Sequence, residues 1–197
     1  FVREVWSRDT EREMGQPTTR SCYYHLYLNG QYWGLYQTQE RTGADWAESY
    51  LGGDSDDYDV IKSKTGEIGM QPTDGNMDMF SRFWDIASTG FNRTGNFWKL
   101  QGLNADGTVN PAYEKHLDLN NLIDEMIIEY YTGDRDGPGS LYTGGCNNTI
   151  AVANREYLNG WYWVQHDSEH SLGTGENDMV NQTYAQGTLQ KFQCDWL

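Results

Sequence analysis

Positive charge is what this sequence has least of. Fourteen Lys and Arg stand against 29 Asp and Glu, giving a formal net charge of −15. That balance argues against DNA or RNA as the main ligand, because phosphate binding needs clustered cations. It does not exclude a nucleotide, which a few local cations or a divalent metal can hold. Long apolar runs are missing too: none approaches the ~20 residues needed to span a bilayer. Nor does the N-terminus look like a signal peptide, since Phe1-Val2-Arg3-Glu4 has neither an initiator Met nor an apolar core. The chain reads as an internal piece of a longer protein, so a missing targeting signal carries no weight. Only three cysteines occur, Cys22, Cys146 and Cys194. They allow at most one internal disulfide, and their spacing matches no zinc motif.

Aromatics are abundant instead, at 14% of 197 residues with 8 Trp and 14 Tyr, which excludes a disordered acidic chain. The length suits one domain with a substantial core. Residues 2–14 read as a short helix ended by Gly15 and Pro17. Tyr23–Leu28 and Tyr32–Glu40 read as strands joined by Asn29-Gly30, the strongest two-residue hairpin signal. The Tyr and Trp side chains of this hairpin are expected in the core and in cross-strand packing. A short helix over 44–51 and a strand over 58–62 follow, then a helix over 77–90 and a polar stretch without period from 92 to 111. Leu122, Ile123, Met126, Ile127 and Tyr130 form a wide apolar stripe, predicting a buried helix over 122–131. A second hairpin spans 149–165 around Asn159-Gly160, and the tail is ambiguous. This order predicts an α+β domain in which a small antiparallel sheet packs on a helical part.

Chemistry is concentrated after the 122–131 helix. Asp134 and Asp136 come first, then Asn147 and Asn148, then the hairpin, then Asp167 and Glu169. A hairpin brings its ends together, so Asn147 and Asn148 should lie beside Asp167, with Asp136 facing the same place. Carboxylate and amide oxygens gathered in this way suit Mg²⁺ or Mn²⁺. The order is also that of a kinase active site, where a catalytic Asp precedes a metal-binding Asn and a later Asp holds the second metal contact. That scheme requires a strand Lys and an orienting Glu. Lys62 and Glu40 are the candidates. Other readings stay open: Asp and Asn favour loops for local hydrogen-bonding reasons, Lys62 and Glu40 could be solvated strand ends, and His166 with His170 invites a metal-hydrolase reading.

The run from His25 to Glu40, containing Leu28-Asn29-Gly30 and Tyr32-Trp33-Gly34-Leu35-Tyr36, resembles the signature hairpin of the spore-coat protein H (CotH) kinase family. The segments Asp118–Asp124 and Asp136 … Asn147-Asn148 … His166-Asp167-Ser168-Glu169 are similar to that family's later motifs, with His166 where the family usually has Trp. The resemblance, closest to the secreted bacterial branch, implies an atypical protein-kinase-like fold whose first strands are missing from this piece. It implies one domain over 1–197, sheet-rich over about 1–75 and helical over about 76–197. It further implies ATP and Mg²⁺ or Mn²⁺ as cofactors, with phosphate transfer to Ser or Thr of a protein substrate. Asp136 would be the catalytic Asp. Asn148, with Asn147, Asp167 and Glu169, would hold metal, and Lys62 would hold phosphate, oriented by Glu40. The location implied is extracellular or cell-surface. A non-catalytic module that meets a surface-assembly partner is the other reading.

Overall fold

In the computed structural model the described residues are 2–63, 69–91, 95–138, 140, 142, 146–157 and 159–173. The expectations for Cys194 and for the tail fall outside them. Helix α1 (Val2–Glu13) leads into the ribbon β1 (Ser21–Leu28) and β2 (Gln31–Gln39). Helix α2 (Ala44–Leu51) follows, then β3 (Tyr58–Ser63), β4 (Met70–Asp74), α3 (Asp78–Ala87), α4 (Asn96–Leu100) and α5 (Leu119–Thr132). The hairpin β5 (Ile150–Asn154) and β6 (Tyr162–Val164) completes the set. The architecture is thus mixed helix and small antiparallel sheets, as the element order predicts.

The central sheet has the order β4-β3-β5-β6, every pair antiparallel. A division near residue 75 therefore runs through one continuous sheet. Both sheet faces are buried, which explains the unbroken apolar run Ile150–Ala153 in β5 and the adjacent Val60 and Ile61 in β3. On one face Ile61, Ala151, Ala153 and Trp163 pack with Met79 and Phe83 of α3 and Leu122 of α5. On the other, Val60, Ile150, Val152 and Val164 pack against Trp46 and Ala47 of α2. Lys62 has the parity of Val60 and lies opposite Ile150 in the ladder.

Two expectations need correction. The ribbon's aromatics do not enter the core. Tyr24, Tyr27, Tyr32 and Trp33 are all more than half exposed, because among the described residues β1 and β2 pair only with each other. Cross-strand packing does occur, with Tyr27 and His25 against Tyr32 at ring separations of 5.2 and 5.8 Å. In α5 the apolar stripe is buried only in part: Leu122 and Met126 pack on the core, but Ile123 and Ile127 are about half exposed, while Asn121, Glu125 and Glu129 are buried. Helix α1 goes further, burying Glu4, Ser7, Arg8 and Glu11 while leaving Val2 and Trp6 outside. The reason is packing: α1 lies on α5 and on the loop after β6, and its buried acids are bonded there, Glu4 to Arg8 and to the Asp167 N–H and Glu11 to the Gln165 N–H. No helix among the described residues is long and apolar enough to cross a membrane.

Candidate active site

The β5–β6 hairpin is flanked by two non-glycine residues in left-handed backbone. Asn148 before it has φ 44° and Asp167 after it has φ 60°. Asn and Asp are the residue types that tolerate this region best. Asn148 Nδ2 donates to Asp136 Oδ2 at 3.3 Å, and Ser140 Oγ donates to Asp136 Oδ1 at 2.5 Å. Both carboxylate oxygens of Asp136 are therefore held. Its backbone N–H donates to Asp134 Oδ1 at 2.8 Å, which fixes the turn out of α5. Burial pushes the Asp134 carboxyl up to about 6, with Asp136 and Asp167 adding negative charge nearby. Asn147 is half-buried, and its carbonyl accepts from Thr149 Oγ1 at 2.9 Å.

On the far side of the hairpin, carboxylate oxygens of Asp167, Glu169 and Glu4 all lie within 4.8 Å of one another. Glu4 is absent from the sequence-predicted set. Its Oε1 accepts from Arg8 Nη2 at 2.6 Å, from Gln39 Nε2 at 3.1 Å and from the Asp167 backbone N–H at 3.2 Å. Burial opposes its ionisation, but the Arg8 charge and these donors outweigh it and hold the carboxyl below its usual range. A hydrogen bond with Asp167 raises Glu169 to about 7, helped by burial and by the Asp167 charge. Close carboxylates of this kind need a proton or a cation between them, and an all-oxygen donor set fits a hard divalent ion. Glu4, Asp167 and Glu169 are the residues that could hold one. Asn148 is bonded to Asp136, while the acids Asp167 and Glu169 gather with Glu4.

Lys62 reaches the same region from β3. It stands opposite Ile150, two residues beyond Asn148, and the next pair is tied by Ser63 N–H to Thr149 O at 2.9 Å. Lys62 and Glu40 both line a cavity of about 210 Å³, together with Arg8, Arg41, Thr42 and His166. Glu40 does not pair with Lys62. One of its oxygens accepts from Tyr50 Oη and the other from the Arg20 backbone N–H at 2.8 Å, which pins the end of β2. His166 is kept neutral: burial, then the charges of Lys62 and Arg8, lower it to about 4.

A family model described as CotH kinase protein matches residues 1–196. The chain belongs to this family. No curated protein matches it. Membership gives this CotH chain a kinase-like function, and kinases in general work with ATP and a divalent cation. One signal for Glu4 was present in the sequence: Glu4, Arg8 and Glu11 recur at i, i+4 and i+7, a single helix face. On a helix otherwise rich in charge, that face is indistinguishable from a solvated one.

Proposed function

We propose that this CotH chain is an atypical protein kinase that transfers the γ-phosphate of ATP to Ser or Thr of extracellular or cell-surface proteins. A single observation carries the reading: one hairpin holds Asn148 with Asp136 at its start and Asp167 at its end, and Lys62 is in register beside that start. Asp136 is the group to orient the acceptor hydroxyl and take its proton, since both its oxygens are already fixed by neutral donors. Asp167, Glu169 and Glu4 would hold Mg²⁺ or Mn²⁺, which supplies neutralisation of phosphate oxygen charge during transfer. Lys62 would bind phosphate from the cavity. Glu40 acts at one remove, by fixing the β2 end that carries Arg41.

The test separates binding from transfer. Asp167→Ala should abolish metal-dependent ATP binding with the fold intact, whereas Asp136→Asn should keep binding and lose transfer by about 10²-fold or more. Unchanged metal-dependent ATP affinity in Asp167→Ala, read by calorimetry, would refute the metal assignment. Full phosphoryl transfer in Asp136→Asn would refute the base. The exposed ribbon favours a second reading, a kinase-like module for surface assembly. No thermal shift with ATP and Mn²⁺ would decide for it.

A further inference from the structure

The cavity beside Lys62 is lined by three cations, Arg8, Arg41 and Lys62, against one carboxylate, Glu40. In a chain with twice as many acids as bases, Arg41 and Lys62 have no carboxylate, carbonyl or ring partner among the described residues, and both line this cavity. The other cations among the described residues have such partners, Arg8 with Glu4 and Arg155 with Asp59 among them. Thr42 is 5% exposed and its Oγ1 has no partner. His166 Nδ1 faces Arg8 Nη2 at 3.5 Å. A guanidinium can only donate, so Nδ1 is the acceptor and the ring proton sits on Nε2. That Nε2 is buried and also without a partner. Glu40 and Gln39, which also line the cavity, are engaged outside it: Glu40 accepts from Tyr50 and Arg20, and Gln39 Oε1 from Gln37. Orphan donors gathered around two unpaired cations call for an anion with several oxygens.

We infer that this cavity is a polyphosphate receptor in which Arg41, Thr42 Oγ1 and His166 Nε2 bind phosphate oxygens alongside Lys62, so that the chain binds inorganic tripolyphosphate without a nucleoside. The volume agrees. At about 210 Å³ the cavity lies below the ~300–1,000 Å³ of sites that enclose a whole small molecule, so it holds the phosphate chain and not the base. The inference deepens the kinase reading and rests on it for the natural ligand, a nucleoside triphosphate. Recognition centred on phosphate further implies weak discrimination between purine bases.

The experiment is calorimetric titration of the whole chain with sodium tripolyphosphate, with and without Mn²⁺, at constant ionic strength. Saturable binding that competes with ATP is expected. Arg41→Gln should weaken it about tenfold or more and Arg41→Lys less. Lys99→Gln, an equal loss of charge elsewhere, should leave it unchanged. Thr42→Val should weaken it several-fold while leaving the ligand-free melting temperature unchanged or higher, because the hydroxyl removed has no partner in the fold. Binding that Arg41→Gln and Thr42→Val leave intact would overturn the inference. So would failure to bind tripolyphosphate by a protein that binds ATP and Mn²⁺, and the kinase reading would survive that result. Tripolyphosphate binding sensitive to these variants, without any transfer from ATP, would uphold the receptor and overturn the kinase.

Discussion

Glu11 has no exposed surface, and burial pushes its carboxyl up to about 8, against the pull of Arg8 and of the Gln165 backbone N–H bonded to it at 3.0 Å. Glu125, fully enclosed across from it, is raised too, by burial and then by the charges of Glu11 and Glu129. A carboxyl whose folded pKa is raised binds its proton more tightly in the native state. Its contribution to stability is complete below the unfolded value near 4.5 and is lost as pH climbs towards 8. The wild-type melting temperature should therefore fall between pH 5 and pH 8. Glu11→Gln should flatten that slope, and comparing the two profiles removes the general effect of net charge. A steeper slope in the variant would contradict the assignment. At this scale the sequence was half legible. The hairpin between Asn148 and Asp167 was readable around Asn159-Gly160, although its connection spans residues 155–161 instead of two. Glu4, Glu11 and Glu125 were not, because a charged side chain in a helix ordinarily faces water, and only packing on a second polar face reverses that.

Asn121 shows how one side chain can finish an element. It is fully buried on α5, donates from Nδ2 to Trp163 O at 3.0 Å, and accepts the Trp163 N–H on Oδ1 at 2.7 Å. It thus occupies the open edge of β6 as a further strand would. Asn121→Ala strands both backbone groups in the core and should cost about 2–4 kcal/mol by urea denaturation. Asn121→Asp should be no milder, since it replaces the donor with a buried charge. Elements with a local signal were readable. Asp118 caps α5 by accepting the Asn121 N–H at 3.1 Å, and Gly133 closes the helix in left-handed backbone. The β1–β2 turn has positive φ at both Asn29 and Gly30. Two elements gave none. Strand β4 contains Pro72 and lies at the sheet edge, where pairing with β3 defines it more than its own residues do. Helix α4 has only five residues, too few for a period to show.

Across the whole molecule, aromatic side chains divide into two populations. Phe83 is 4% exposed between α3 and Trp163, so Phe83→Ala should cost about 3–5 kcal/mol. Tyr24, 54% exposed on the ribbon, should cost no more than about 0.5 kcal/mol as Tyr24→Ser, measured in the same denaturation series. Aromatic content alone cannot tell these apart, because alternation marks a strand without saying whether anything covers it. Nor does composition disclose which strands meet. The pairing of β3 with β5 joins residues about ninety positions apart, and that pairing places Lys62 beside Asn148. It also has a mechanical corollary. Lys62 and the strand that leads out of Asn148 belong to one hydrogen-bonded ladder, so no hinge can open between them. The facing wall, α1 and the end of β2, is joined to that hairpin through side chains, with Glu4 holding both Gln39 and the Asp167 N–H, so any give in the cavity is confined to that side.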